Sequence, residues 1–149
     1  MNITPAENYG ASLGHARIYD LEAALRKMPQ VDCPVRNIFA NGLYAREVTM
    51  PAGAVVTGVV HKTEHITILS KGRVRVIGGE ELTAPCLFIS KPGTKNAVWV
   101  LEEAVWTTIH ANPTNEQDMD VIVPMLTTSK NSDLLCNRLL NNETVKEIE

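Results

Sequence analysis

Branched aliphatic residues set the pattern of this chain. Val55, Val56, Val59 and Val60 precede His61, and Ile66, Thr67, Ile68 and Leu69 follow His65. Two such runs around a short Lys62-Thr63-Glu64 connection predict a pair of strands. Ser70, Lys71 and Gly72 read as a turn, after which residues 73–77 alternate polar and apolar as a third strand, closed by a Gly78-Gly79 hairpin. Upstream, Asn41-Gly42 marks a turn and LYAREVTM (43–50) alternates like a half-buried strand. Downstream, residues 82–89 predict a strand that Pro85 bends or confines to an edge. Pro92-Gly93 turns the chain, residues 97–101 and 105–109 flank Glu102-Glu103 as a hairpin, and residues 121–126 supply one more strand.

Helical periodicity is concentrated in one early segment. LEAALRKM sets Leu21, Ala24, Leu25 and Met28 on one face, with Asp20 as N-cap and Pro29 as stop, so a short amphipathic helix is expected over 20–28. Its apolar face suits either one end of a barrel or a second copy of the chain. Residues 1–17, punctuated by Pro5, Gly10 and Gly14, read as an extended arm. LLCNRLL (134–140) reads as a helical turn and NETVKEIE (142–149) as a surface helix or frayed tail. The chain thus divides into an arm with a helix (1–41), a β-barrel (42–126) and a polar tail (127–149).

Composition narrows the classes. A chain of 149 residues that is 44% hydrophobic builds one core of ordinary size. A net charge of -3, a pI near 5.8 and scattered lysines and arginines argue against nucleic-acid binding. The amino terminus has no basic start followed by an apolar core, and the apolar runs fall short of the ~20 residues of a membrane span. Cys33, Cys86 and Cys136 are odd in number and far apart. Neither a disulfide framework nor a four-cysteine zinc site is indicated, and reduced thiols are expected.

With the elements in place, GVVHKTEHITILSKG (58–72) resembles the first motif of the cupin superfamily, in which a glycine, a histidine pair, a glutamate and a second glycine recur at set spacing. His61 matches the second histidine of the pair, His65 stands where glutamate is usual, and Val59 replaces the first histidine. KPGTKNAVW is similar to the second motif, with Pro92 and Gly93 in place and Asn96 where a histidine is usual. The resemblance spans roughly residues 42–112 and implies an all-β fold, a single antiparallel barrel of the double-stranded jelly-roll type. The longer strings MPQVDCPVRNIFANGLYAREVTMPAG and HKTEHITILSKG resemble small cupin-like proteins of tailed bacteriophages and prophages. That likeness implies a location in the cytoplasm of an infected bacterial host or in the virion, and it carries over no catalytic residue.

The candidate chemistry follows from these positions. His61, Glu64, His65, Asn96 and His110 are the expected pocket residues. Trp106, Thr108 and His110 share one strand face, so an inward-facing set delivers His110 beside the other two histidines. His61, His65 and His110 are then the ligands for a divalent iron, manganese, nickel or zinc ion. The other reading is a metal-free pocket with the same groups hydrogen bonded. Arg46, Arg73 and Arg75 read as outward-facing. Lys62 and Lys95 read as turn lysines at the mouth, placed to attract an anion such as a carboxylate or phosphate. Trp99 and Trp106 read as packing residues on neighbouring strands, and no nucleophile has a partner beside it.

The leading functional expectation is a non-enzymatic protein binding a small ligand, alone or with a metal. Its alternative is a structural or host-interaction protein that uses the barrel as a scaffold. A metal-dependent enzyme ranks third. Partners expected are further copies of the chain, as a dimer or higher assembly, and a virion or host protein.

Overall fold

The computed structural model describes residues 2–3, 15–128 and 135–137. In chain order these form β1 (Asn2–Ile3), α1 (His15–Leu25), β2 (Val35–Ala40), β3 (Leu43–Met50), β4 (Val55–Thr57), β5 (His65–Val76), β6 (Glu81–Thr83), β7 (Cys86–Ser90), β8 (Ala97–Ala111), α2 (Met119–Leu126) and β9 (Leu135–Asn137). Expectations for residues 4–14 and 138–149 lie outside the described residues. The three residues of β9 are strand where a helical turn was expected.

Two strands run through points where the sequence suggested reversals. Neither the turn at Ser70-Lys71-Gly72 nor the hairpin at Glu102-Glu103 forms. Instead β5 and β8 pair antiparallel from Ile66↔Ile109 to Val76↔Val98, with register shifts between Leu69 and Val74. Gly72 is the reason the ladder can shift without breaking. It sits at φ +82, where an added Cβ would lie 2.7 Å from the Glu103 carbonyl carbon and 2.8 Å from Ala104 Cα. This glycine serves a bulge and a close backbone approach rather than a chain reversal.

The two edges of β8 organise the rest. One edge carries β5, while the other is shared by β3, from Leu43↔Ala111 to Met50↔Ala104, and β4, from Val55↔Trp99 to Thr57↔Ala97. The main path runs β1-β7-β5-β8-β3-β2. All pairings are antiparallel except β1 with β7. The arrangement is mostly antiparallel β-sheet with a short helix before it, as expected of a jelly roll, but the sheet does not close into a barrel. The break at Pro85 divides the predicted 82–89 strand into β6 and β7.

Alternation along β4 and β8 buries both faces. Val56, Val98 and Val100 join Val48, Met50, Leu69, Val74 and Phe88 in the main core. Val55 and Ala97 point the other way and meet Ile18, Leu21 and Leu25 of α1. The helix therefore begins and ends earlier than expected. Ile18 replaces Ala24 on its buried face, since Ala24 is exposed, and the helix covers its own sheet rather than a barrel end or a second copy. Trp99 packs against this outer cluster and Trp106 against the main core, so the two lie on opposite faces of one strand. Cys86 is a buried thiol outside any disulfide, whereas Cys33 is disulfide-bonded, against the expectation of reduced thiols.

Residues 121–126 are helix rather than strand. The Asp118 side chain accepts from the Asp120 N–H at 3.0 Å and caps α2, and Thr127 closes it by donating its N–H to Val123 O. Among the described residues no helix is long and apolar enough to cross a membrane.

A buried ion pair fastens α1 to the sheet. Lys95 Nζ lies 2.6 Å from Glu22 Oε1, with the two side chains 4% and 7% exposed. It also donates to Gly58 O at 2.6 Å and sits 4.8 Å over the Tyr19 ring. Lys95 is thus a fastening inside the fold, not a turn lysine open to ligands. Removing one partner strands the other charge out of water, which costs about 3–5 kcal/mol. Urea denaturation of Lys95→Met should show a loss of that order. The double variant Glu22→Met with Lys95→Met should be more stable than Lys95→Met alone, and an equal or greater loss in the double variant would contradict this account.

Candidate functional site

Strand register brings two histidines together and loop bonding supplies the third. His65 opens β5, and continuing the β5–β8 register one step beyond Ile66↔Ile109 sets it opposite His110. His61 lies after β4, in a segment that is not strand. Its N–H donates to Thr94 O at 3.3 Å, its carbonyl accepts from Gly93 N at 2.8 Å, and it forms a bridge with Thr127 at the end of α2. Ring centroids are 4.4 Å apart for His61 and His65, 4.6 Å for His65 and His110 and 5.5 Å for His61 and His110. Asn96 lines the same cavity. Glu64 does not join them: it is exposed and pairs with Lys91 at 3.2 Å, because it falls on the outer side of the loop before β5.

The cavity holds about 110 Å³. Besides the histidines its walls include two groups that the sequence reading did not place there. Tyr44, Arg46, Val48 and Met50 line it from β3, and Ile122, Val123 and Leu126 line it from α2. Arg46 therefore faces inward, correcting its expected outward direction; Arg73 does lie at the surface, with Glu81 at 3.2 Å. The signal for Arg46 was available in LYAREVTM. Val48 and Met50 are the apolar positions of that strand, and a period of two puts Arg46 and Tyr44 on their face. Lys62 donates Nζ to Pro124 O at 2.8 Å and holds α2 in place.

Burial makes the imidazoles neutral. Loss of water contact, reinforced by His65 and by the Arg46 charge, lowers the His61 pKa to about 3. The same causes, burial first and then His65, His61 and Arg46, lower His110 to about 3. Burial also lowers His65. Burial raises the Tyr44 hydroxyl, with Arg46 opposing, and that hydroxyl donates to Asn37 Oδ1 at 2.6 Å. His65 Nδ1 donates to Thr63 O at 3.1 Å, which leaves its Nε2 as an acceptor. His110 Nε2 and Thr108 Oγ1 are 2.9 Å apart. His110 Nδ1 and Asn96 Oδ1 are buried without a hydrogen-bond partner among the described residues.

The sequence resemblance implies a divalent metal, for which these groups would be the ligands. Neutral imidazoles are competent ligands. As arranged, however, among the described residues no set of three or more His, Cys, Asp or Glu side chains is placed to hold a metal ion. No carboxylate lines the cavity, and Arg46 adds positive charge to it. Among the described residues the expected His61, His65 and His110 ligand set is therefore not preformed around one metal position.

No family model and no curated protein matches the chain. Similar solved structures include the Schizosaccharomyces pombe Cnp3 cupin domain, at 18% identity over 60% of this chain and 68% of that one, with TM-score 0.47. Acetylacetone dioxygenase from Acinetobacter johnsonii is similar at 14% identity over 56% of this chain and 66% of the enzyme, with TM-score 0.45. KdgF from Halomonas sp. is similar at 17% identity over 58% of this chain and 89% of that chain, with TM-score 0.46. The likeness concerns strand arrangement, and at these identities it says nothing of activity.

The lowered histidines predict an acid-sensitive fold. Between pH 6.5 and about 3 the unfolded chain takes up protons that folded His61 and His110 refuse, so stability falls as pH falls through that window and levels off below it. The slope is at most about 1.4 kcal/mol per pH unit for each group. Urea denaturation from pH 7 to pH 4 should show this decline, and His110→Gln should make it shallower. An unchanged slope in that variant would mean that His110 titrates normally.

Proposed function

We propose that this chain is a non-enzymatic protein that binds a small organic ligand in the cavity between β3, β8 and α2. One observation carries the reading: three imidazoles whose neutral form burial favours and Asn96 line one cavity with largely apolar walls, and among the described residues His110 Nδ1 and Asn96 Oδ1 are buried without partners. Buried polar groups in folded proteins are nearly all satisfied, so two in one cavity mark where a ligand's polar atoms fit. The sequence resemblance to small phage and prophage proteins supplies the setting, an infected bacterial cell or a virion, and rests on the quoted strings alone.

A divalent iron, manganese, nickel or zinc ion on His61, His65 and His110 is the second reading. The unpartnered His110 Nδ1 favours it, and the absent carboxylate and the Arg46 charge weigh against it. Self-association belongs to the proposal as well. Edge strand β2 pairs only with β3 among the described strands and exposes Val35 and Ile38, as a surface that meets a second copy does.

Three measurements test this. Proton NMR of the imidazole ring signals, during titration with small acids, amides and alcohols, should show His61, His65 and His110 shifting together, and His110→Ala should abolish the effect. If no compound of the panel moves them, the ligand reading falls. Elemental analysis of protein purified without chelator should find well under one equivalent of transition metal. A full equivalent, lost in His61→Ala and His65→Ala, would install the metal reading instead. Light scattering at micromolar concentration should report at least a dimer, and Ile38→Glu should shift it toward monomer.

A further inference from the structure

The cavity has a direction, and strand pairing sets it. Along β3 its lining residues are Tyr44, Arg46, Val48 and Met50 in that order. Their partners on β8 are His110, Thr108, Trp106 and Ala104. One end is therefore built of Tyr44, Arg46, Thr108 and His110, with His61 and His65 beside His110. The other end is built of Val48, Met50, Val56, Val98 and Trp106. With about 3.4 Å per strand residue, the wall passes from polar to apolar within roughly 7 Å, between the levels of Arg46 and Val48.

Charge assigns the polar end a sign. Among the described lining residues Arg46 is the one lysine or arginine, and there is no aspartate or glutamate. Arg46 is also positioned, since its side chain hydrogen-bonds that of Tyr44, which is itself fixed by Asn37. A fixed guanidinium facing a partly desolvated cavity attracts an anion far more than the same group in open water. It repels a cationic ligand for the same reason.

We infer that the cavity takes a short-chain monocarboxylate, its carboxylate at the Arg46 and histidine end and its alkyl tail among Val48, Met50, Val98 and Trp106. The inference rests on the small-ligand reading and deepens it. Volume limits the tail: an apolar cavity of ~150 Å³ accepts the six carbons of benzene, so on that scale the present 110 Å³ holds about four non-hydrogen atoms, the carbon chain of butanoate, with the carboxylate oxygens against the polar lining. His110 and Asn96 serve the head group differently. Neutral His110 can present an N–H to a carboxylate oxygen, whereas Asn96 has both a donor and an acceptor to offer.

The test compares four probes of equal length: butanoate, butanamide, 1-butanol and butylammonium. Each is titrated by calorimetry and by the imidazole NMR signals, in parallel with wild-type protein, Arg46→Met and Arg46→Lys. Wild type should prefer butanoate over butanamide by about 10-fold or more, as a charge-assisted hydrogen bond allows, and butylammonium should bind least. Arg46→Met should erase that preference while still binding butanamide and 1-butanol, which shows a folded, open cavity. Arg46→Lys should restore part of it. Equal binding of butanoate and butanamide by wild type, or a preference that survives Arg46→Met, overturns the carboxylate inference and leaves the small-ligand reading standing. Failure of all four probes to move the histidine signals overturns both.

Discussion

The pairing of β5 with β8 is the constraint on which the rest of the molecule depends. These are the longest described strands, of 12 and 15 residues, and every other described strand but β1, β2 and β9 pairs directly with one of them. Their register decides which residues share a face, so it places the core and the site together. A slip of one residue would turn His65 and His110 outward along with Leu69 and Val100. Gly72 makes this long ladder tolerable. It absorbs the register shift near the middle, where no side chain fits against the Glu103 backbone, and leaves regular pairing on both sides of it.

From that register the electrostatics follow. The ladder holds His65 and His110 in a place short of water, and for His110 the other two histidines and the Arg46 charge act in the same direction, so protonation is disfavoured. The result is a set of imidazoles for which the neutral form, able to donate and to accept, is favoured. A group of this kind can recognise a ligand without contributing charge, which leaves the sign of the site to Arg46. Tyr44 belongs to the same arrangement, stacked on His110 with ring centroids 5.8 Å apart.

Much of this was legible in the chain, and the misses have physical causes. Period-two alternation found β3 and put Trp106, Thr108 and His110 on one face, and the valine-rich runs marked the strands next to the histidines. Turns were over-read. Gly72 and the Glu102-Glu103 pair look like reversals locally, but pairing with a distant strand decides whether a glycine turns the chain or bulges it. The β-branched residues of 121–126 suggest a strand, but the Asp118 side chain caps the segment and it is helix. Glu64 lies outside the cavity and Arg46 lines it, each the reverse of what the sequence suggests. For Glu64 the loop conformation decides, which composition does not encode. For Arg46 charge was allowed to overrule parity, although a charged residue on an inward face is what a polar binding site requires.

The site is also only half built from the ladder. His61 and Asn96 stand on segments outside the long strands, and their positions depend on contacts made from two directions. On one side the end of α2 is bonded to the loop, with Lys62 N–H donating to Leu126 O at 2.7 Å and Thr128 N–H to Val60 O at 3.0 Å. On the other, Gly58 N–H donates to Asn96 O at 2.9 Å, while Gly58 O accepts from Lys95, the lysine that Glu22 of α1 holds. Both helices, which belong to neither edge of the sheet, thus determine the shape of the cavity wall. An occupant touching His61 and Asn96 would therefore rest on segments held by the same few bonds that dock the two helices. The rigid strands supply the orientation of the site, and the helices supply its closure.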